Sequence, residues 1–303
     1  MIFRCIAAAV SLSFAAVTAA PPSGDAVIRG AFRESEIVIT TTSRLAGAIH
    51  SLKWNGREFI DSTDHGRQLQ SASSFDNTAQ AGAETFNPTE AGSRADGAGA
   101  KSSSRLLEII AAGPLLRTRS QMAFWLAPGE RSEGQLARNT AILSEHVLEK
   151  EVRIGARGMP NVIEYSATFI VPANEPHRTA QFEALTGYMP AEFERFWTFD
   201  AAAGKLDPLT DGPGEQPRPV VLSTRDGSHA MGIFSTPHKG VNGPSYGRWR
   251  FKAERVVKWN CVFREKADVG IAPGVHRFTM FVPIGTLADV EAAMKKLAAK
   301  SAR

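Results

Sequence analysis

The stretch VIEYSATFIV, residues 162–171, alternates without a break. Ile163, Tyr165, Ala167, Phe169 and Val171 fall on one side, and Glu164, Ser166 and Thr168 on the other. That is the period of two expected of a strand with one buried face. VVKWNCVFRE (256–265) repeats the pattern, with Val257, Trp259, Cys261 and Phe263 inward and Lys258, Asn260 and Arg264 outward. SEIVITTT (35–42), GAIHSLKWNGREFI (47–60), RLLEIIAAG (105–113) and LLRTRSQMAFW (115–125) belong to the same class. Asn55-Gly56 sits between two apolar runs, a strong signal for a two-residue hairpin.

One convincing helix stands against this series. GTLADVEAAMKKLAAKSAR closes the chain, with Thr286 as its expected N-cap and a helix over about 286–300. Asp289 and Glu291 come early and Lys295, Lys296 and Lys300 late, the order that a helix dipole favours. Leu287, Val290, Met294 and Leu297 make one apolar stripe for packing on a sheet. EFERFWTFD (192–200) is open between helix and strand, and two long loops are expected over 91–104 and 201–219. Many short strands without alternating helices predict an all-β fold, a large antiparallel β-sandwich ending in a helix.

The first twenty residues read differently. Arg4 precedes an uncharged apolar run that ends in small residues near Ala19 and Ala20. This is the pattern of a secretory signal peptide, so residues 1–20 are expected to be removed and 21–303 to form a single β-sandwich domain. The run lacks a charged stop-transfer flank, so no stable membrane anchor is expected and the destination is the periplasm or the extracellular space. Cys5 leaves with the leader, and Cys261 is then the one cysteine, so the mature fold depends on its core and not on disulfides. The formal charge of +4 comes from basic residues scattered among acids, which argues against a nucleic-acid partner.

Two polar runs stand out as site candidates. In DSTDHGRQLQ (61–70), Asp64 and His65 could act as general acid or base, with Arg67 and Gln68 to hold a hydroxyl or carboxylate. A solvated turn built on Asp64 is the alternative. In ETFNPTEAGSR (84–94), Pro88 and Gly92 stiffen a loop that carries Asn87 and Glu90. The alternative there is a helix start with Asn87 as cap, Pro88 at the first helical position and Glu90 reaching back. Glu90 and Asp64 are nominated as the acid/base pair of a glycoside hydrolase. A β-elimination on a uronate would instead use Arg67 or Arg248 for the carboxylate, and His65 or Tyr246 for the proton.

Further along, Tyr246, Arg248 and Lys258 are nominated as substrate-binding residues. Arg248, Arg250 and Lys258 read as one face of their strands, and Trp249 and Trp259 as the core face. GPSYG (243–247) matches a nucleophile elbow around Ser245, with Asp268 and His276 downstream, but a strand and not a helix follows it, so a turn is the better reading. The seven histidines are scattered with no close ligand pair, no cysteine cluster accompanies them, and neither a phosphate loop nor a dinucleotide fingerprint is present. No metal and no cofactor are expected.

GAIHSLKWNGREFIDSTDHGRQLQ resembles the N-terminal region of galactose-mutarotase-like β-sandwich proteins, in which such a hairpin leads into a Gly/Arg loop at the sugar-binding face. MGIFS, YGRWRF and GVHRFTMFVPIG are similar to later paired strands of that supersandwich-like fold. The resemblance implies an oligo- or polysaccharide partner. It leaves open a glycosidase, a non-catalytic glycan- or envelope-binding sandwich, and an epimerase or lyase.

Overall fold

The computed structural model describes residues 22–77, 83–238, 240–266 and 270–301. The expected leader, Cys5 and Asp268 lie outside these. Strands make up 53% of the chain; 19 of them join in one antiparallel network, and Arg131–Ser132 and Gln135–Leu136 form a separate short pair. The network folds into two facing layers.

The first layer runs, edge to edge, through Ala26–Phe32, Ser35–Thr41, Ile49–Trp54, Leu69–Phe75, Thr179–Pro190, Val256–Lys266, Asn242–Phe251 and Gly214–Gln216. The second runs through Arg105–Ala112, Leu115–Phe124, Leu143–Ile154, Val162–Val171, Gly274–Gly285, Ala230–Ser235, Val220–Ser223, Arg195–Asp200 and Lys205–Leu209. The two-residue strand Pro88–Thr89 bridges them, pairing Thr89 with Ala72 of one and Ala123 of the other. The predicted β-sandwich is therefore present, and within EFERFWTFD the residues Arg195–Asp200 are strand. The expected loop 201–219 is in part strand, at Lys205–Leu209 and Gly214–Gln216.

The alternating stretches place their apolar residues between the layers as expected. Tyr165, Ala167, Phe169 and Val171 are buried, as are Val257, Trp259, Cys261 and Phe263. Rings meet across the gap: Phe263 stacks on Phe278 at 4.4 Å, and Phe182 meets Phe278 at 5.2 Å. Each such side chain removed from water contributes roughly 1.5–3 kcal/mol, which makes this seam the main source of stability.

The helix Leu287–Ser301 begins in a capping box. Asp289 N–H donates to Thr286 Oγ1 (3.2 Å), and Thr286 N–H donates to Asp289 Oδ2 (3.0 Å). Val290, Ala293, Met294 and Leu297 are buried in a second apolar cluster with Val221, Ala230 and Phe281. Among the described residues no helix is long and apolar enough to cross a membrane.

One irregularity positions the site. The pairing of Thr179–Pro190 shifts by one residue between Glu183 and Leu185. Phe182 and Leu185 are both fully buried although three residues apart, so Ala184 is the extra residue of a β-bulge. The bulge also brings Glu183, Thr186 and Tyr188 onto one face, the outer face of the first layer.

Candidate active site

That outer face forms the floor of a cleft of about 400 Å³, within the usual range for small-molecule sites. Glu183, Thr186 and Tyr188 come from the bulged strand and Lys258 from its neighbour. Gln70 comes from the first-layer strand Leu69–Phe75, Thr89, Asn87 and Glu84 from the bridge region, and Asp64 and Arg67 from the loop after the first hairpin. Trp125, Tyr188 and Phe251 supply aromatic surface. A Cβ on Gly66 would stand 2.7 Å from the Trp125 ring, so the bare backbone there lies against the indole and holds it.

Lys258 Nζ lies 2.8 Å from Glu183 Oε1, with both side chains 15% exposed. The ammonium also sits 5.0 Å from the ring centres of Tyr188 and Trp249. Asn260 Nδ2 donates to the same Glu183 oxygen (3.0 Å), and Gly247 N–H donates to Asn260 Oδ1 (2.9 Å), which fixes the amide's orientation. Burial alone would raise Glu183's carboxyl. The Lys258 charge and the bonds from Lys258 and Asn260 outweigh it, and the net position is below the ordinary glutamate value. Burial likewise pulls Lys258 down, but Glu183 opposite holds its ammonium above the ordinary lysine range.

Glu84 behaves in the opposite sense. Burial raises its carboxyl and the negative charge of Glu183 raises it further, while Lys258 and a hydrogen bond with Asn87 only temper the effect. Asn87 Oδ1 is buried with no partner among the described residues, an acceptor left over in the cleft wall. Tyr188's phenol is raised by burial and stays neutral. The cleft thus holds one carboxyl biased toward the acid and one biased toward the carboxylate. This separation is what acid–base chemistry on a single bond requires.

The nominated residues divide between this cleft and the interior. Asp64, Arg67, Asn87 and Lys258 line the cleft. Asp64 also builds a turn, accepting from Gly66 N–H (2.9 Å) and from Arg67 Nε (3.0 Å). The expectation that Glu90 faces the same site is corrected. Its carboxylate is fully buried in an ion pair with Lys150, and it accepts from Ser71 N–H (3.1 Å) and Tyr165 OH (3.4 Å). The alternative of a helix cap at Asn87 is corrected too: Pro88–Thr89 is strand, and a capping box follows later, on Ser93 and Asp96.

His65 is 1% exposed, with Nδ1 2.7 Å from Gly97 O and Nε2 3.0 Å from Arg44 O. Both ring nitrogens are occupied by backbone, which removes it as an acid or base. Gln68 is buried and bonded to Asp64 O. Tyr246 is a core residue whose OH bonds Ser235 N–H and O.

Arg248 pairs in register with Trp259, the core side, and Trp249 pairs with Lys258, which reverses the expected faces. The antiparallel pairing matches residues whose numbers sum to an odd value, so two tryptophans ten apart point in opposite directions. Arg248 donates instead to Gly214 O (2.8 Å) and Thr210 Oγ1 (2.9 Å). Ser245 donates to Glu215 and His276 is bonded to Glu265, so neither faces the other as a triad would.

Two histidines expected to be apart are in fact neighbours: His146 and His177 share Glu175. The cleft residues that periodicity missed are Glu84, Glu183, Tyr188 and Trp125. Glu183 was hidden by the bulge. ETFNP did carry a signal, since Glu84 lies at its start.

No family model matches the sequence, and no curated protein matches it either. Among solved structures, similar ones include a Synechocystis protein (TM-score 0.45, 10% identity, 91% of this chain and 99% of that one). An aldose 1-epimerase-like protein of Klebsiella pneumoniae gives 0.43 and 10%, over 88% and 83% of the two chains. An alpha-galactosidase of Lactobacillus brevis gives 0.43 and 10%, with 89% of this chain spanning 40% of that one.

Proposed function

We propose that the cleft binds a carbohydrate and hydrolyses a glycosidic bond, with Glu84 as general acid and Glu183 as the ionised partner. The observation that carries this is the pair of carboxyls in one aromatic-walled cleft with opposite protonation bias. Glu84 donates its proton to the leaving oxygen as the bond to the anomeric carbon breaks. Glu183, kept anionic by Lys258, stabilises the developing positive charge and accepts the proton of the attacking water or attacks itself. Trp125, Tyr188 and Phe251 offer apolar faces to the C–H faces of the ring, while Arg67 and Asn87 offer hydrogen bonds to its hydroxyls. The reading is tested by incubating the protein with neutral and acidic oligosaccharides and identifying new reducing ends.

A second reading has its own support. Glu183 Oε1 already accepts from two donors, which suits a binding site that holds a glycan without turning it over. Calorimetric binding without product formation would favour it. We also read the chain as exported, on the strength of residues 1–20; N-terminal sequencing of secreted or periplasmic material tests this.

A further inference from the structure

Away from the cleft, a second cluster combines features that point to a cation. His146 is on the second-layer strand Leu143–Ile154, and Glu175 and His177 are on the loop that leads into Thr179–Pro190. One atom from each of the three lies within 4.8 Å of the others. His146 Nε2 is 2.9 Å from Glu175 Oε2, and His177 Nε2 is 3.7 Å from the same oxygen. Ligands about 2.0–2.1 Å from a tetrahedral zinc ion stand roughly 3.3 Å apart, midway between these values.

Two independent observations support this beyond mere proximity. His177 is 6% exposed, and its Nε2 has no hydrogen-bond partner, a buried lone pair directed at the cluster. Its other nitrogen, Nδ1, lies 3.0 Å from Asp76 Oδ2, while Asp76 Oδ1 accepts from the N–H groups of Arg178 (2.6 Å) and Thr179 (3.0 Å). A carboxylate fixed in this way holds Nδ1 protonated and leaves Nε2 free to ligate, the usual outer-shell support of a metal-bound histidine. Phe75 stacks on His177 at 4.4 Å and lies 4.9 Å from His146, so the rings are held in an apolar wall. Glu175 is 23% exposed and gives access from solvent. Arg138 lies 3.5 Å from Asp76 and balances part of the acidic excess, and Arg178 is beside it.

We propose that His146 Nε2, His177 Nε2 and a carboxylate oxygen of Glu175 bind a first-row divalent cation, zinc in the first instance, with Asp76 as the positioning residue and the fourth place taken by water. On binding, His146 Nε2 turns its lone pair to the ion and the single ring proton is carried on Nδ1 instead, so the imidazole stays neutral. The ion ties the second layer to the loop that enters the bulged strand.

The test uses the full chain dialysed against a chelator and titrated with zinc chloride by calorimetry, with cobalt(II) as a spectroscopic probe. One equivalent should bind, the melting temperature should rise with it, and cobalt should give the visible bands of tetrahedral coordination. Asp76→Asn should weaken binding by about 10–100-fold, as loss of an outer-shell partner does. Glu175→Gln sits on a partly exposed loop and should keep the metal-free melting temperature while losing tight binding. Absence of equimolar binding, or parent-level affinity in Glu175→Gln or His177→Gln, would overturn the site.

Discussion

Lys258 Nζ and Glu183 Oε1 stand 2.8 Å apart on the floor of the cleft, each largely shielded from water. Each group fixes the charge of the other, and both feel Glu84 nearby. Lys258→Met should therefore raise Glu183 toward and above the ordinary carboxylate range. Glu183 now contributes stability above its unfolded value of about 4.3, lost as pH falls through its lower folded value. Without Lys258 that contribution reverses. The variant should melt lower than the parent at pH 7, by less at pH 5, and the acidic limb of kcat/KM should move to higher pH.

Glu84→Gln should make the opposite kind of change. A carboxyl raised on folding lowers stability as pH climbs from about 4.3 through the folded value, because the folded state retains the proton longer. Removing it should raise the melting temperature at pH 7–8, with the difference closing toward pH 4. Such gains on deletion are a mark of groups held for function. Equal melting curves at both pH values would argue against a strained Glu84.

The Glu90–Lys150 ion pair predicts a stability phenotype in place of a catalytic one. Glu90→Ala leaves a buried ammonium unpaired and should cost about 3–5 kcal/mol, read from denaturant midpoints. Glu90→Leu combined with Lys150→Met should recover most of that loss, because both charges then leave the interior.

Much of the fold was legible because buried strands state their period: 162–171 and 256–265 gave their core faces residue by residue. Thr286 and the apolar stripe gave the helix. What escaped depends on pairing between distant segments. Trp249 and Arg248 exchange faces because the register with 256–266 decides which is inward, and one strand's alternation contains no register. Glu183 escaped because Ala184 adds a residue, breaking the alternation at the position that faces the cleft. Glu90 looked like a site residue because a lone carboxylate in a polar run gives no hint of a lysine sixty residues on. Arg67, Asn87 and Lys258, nominated as substrate-binding residues, do line the cleft, since polar groups near turns and on outward strand faces gather at sandwich surfaces.

Trp125→Ala should weaken oligosaccharide binding by roughly tenfold or more, the equivalent of about 1.4 kcal/mol or more, while the fold persists. Its ring rests on Gly66 at the cleft wall rather than in the central seam. Titration calorimetry against the parent's best ligand measures this.

The proposed hydrolysis has Glu84 and Glu183 act together on one bond held in the cleft. It is tested most directly by comparing kcat/KM of the parent, Glu84→Gln and Glu183→Gln on the oligosaccharide that the parent cleaves. Each substitution should lower it by about 10²–10⁴-fold with ligand affinity largely kept. Parent-level turnover in either variant would contradict the account.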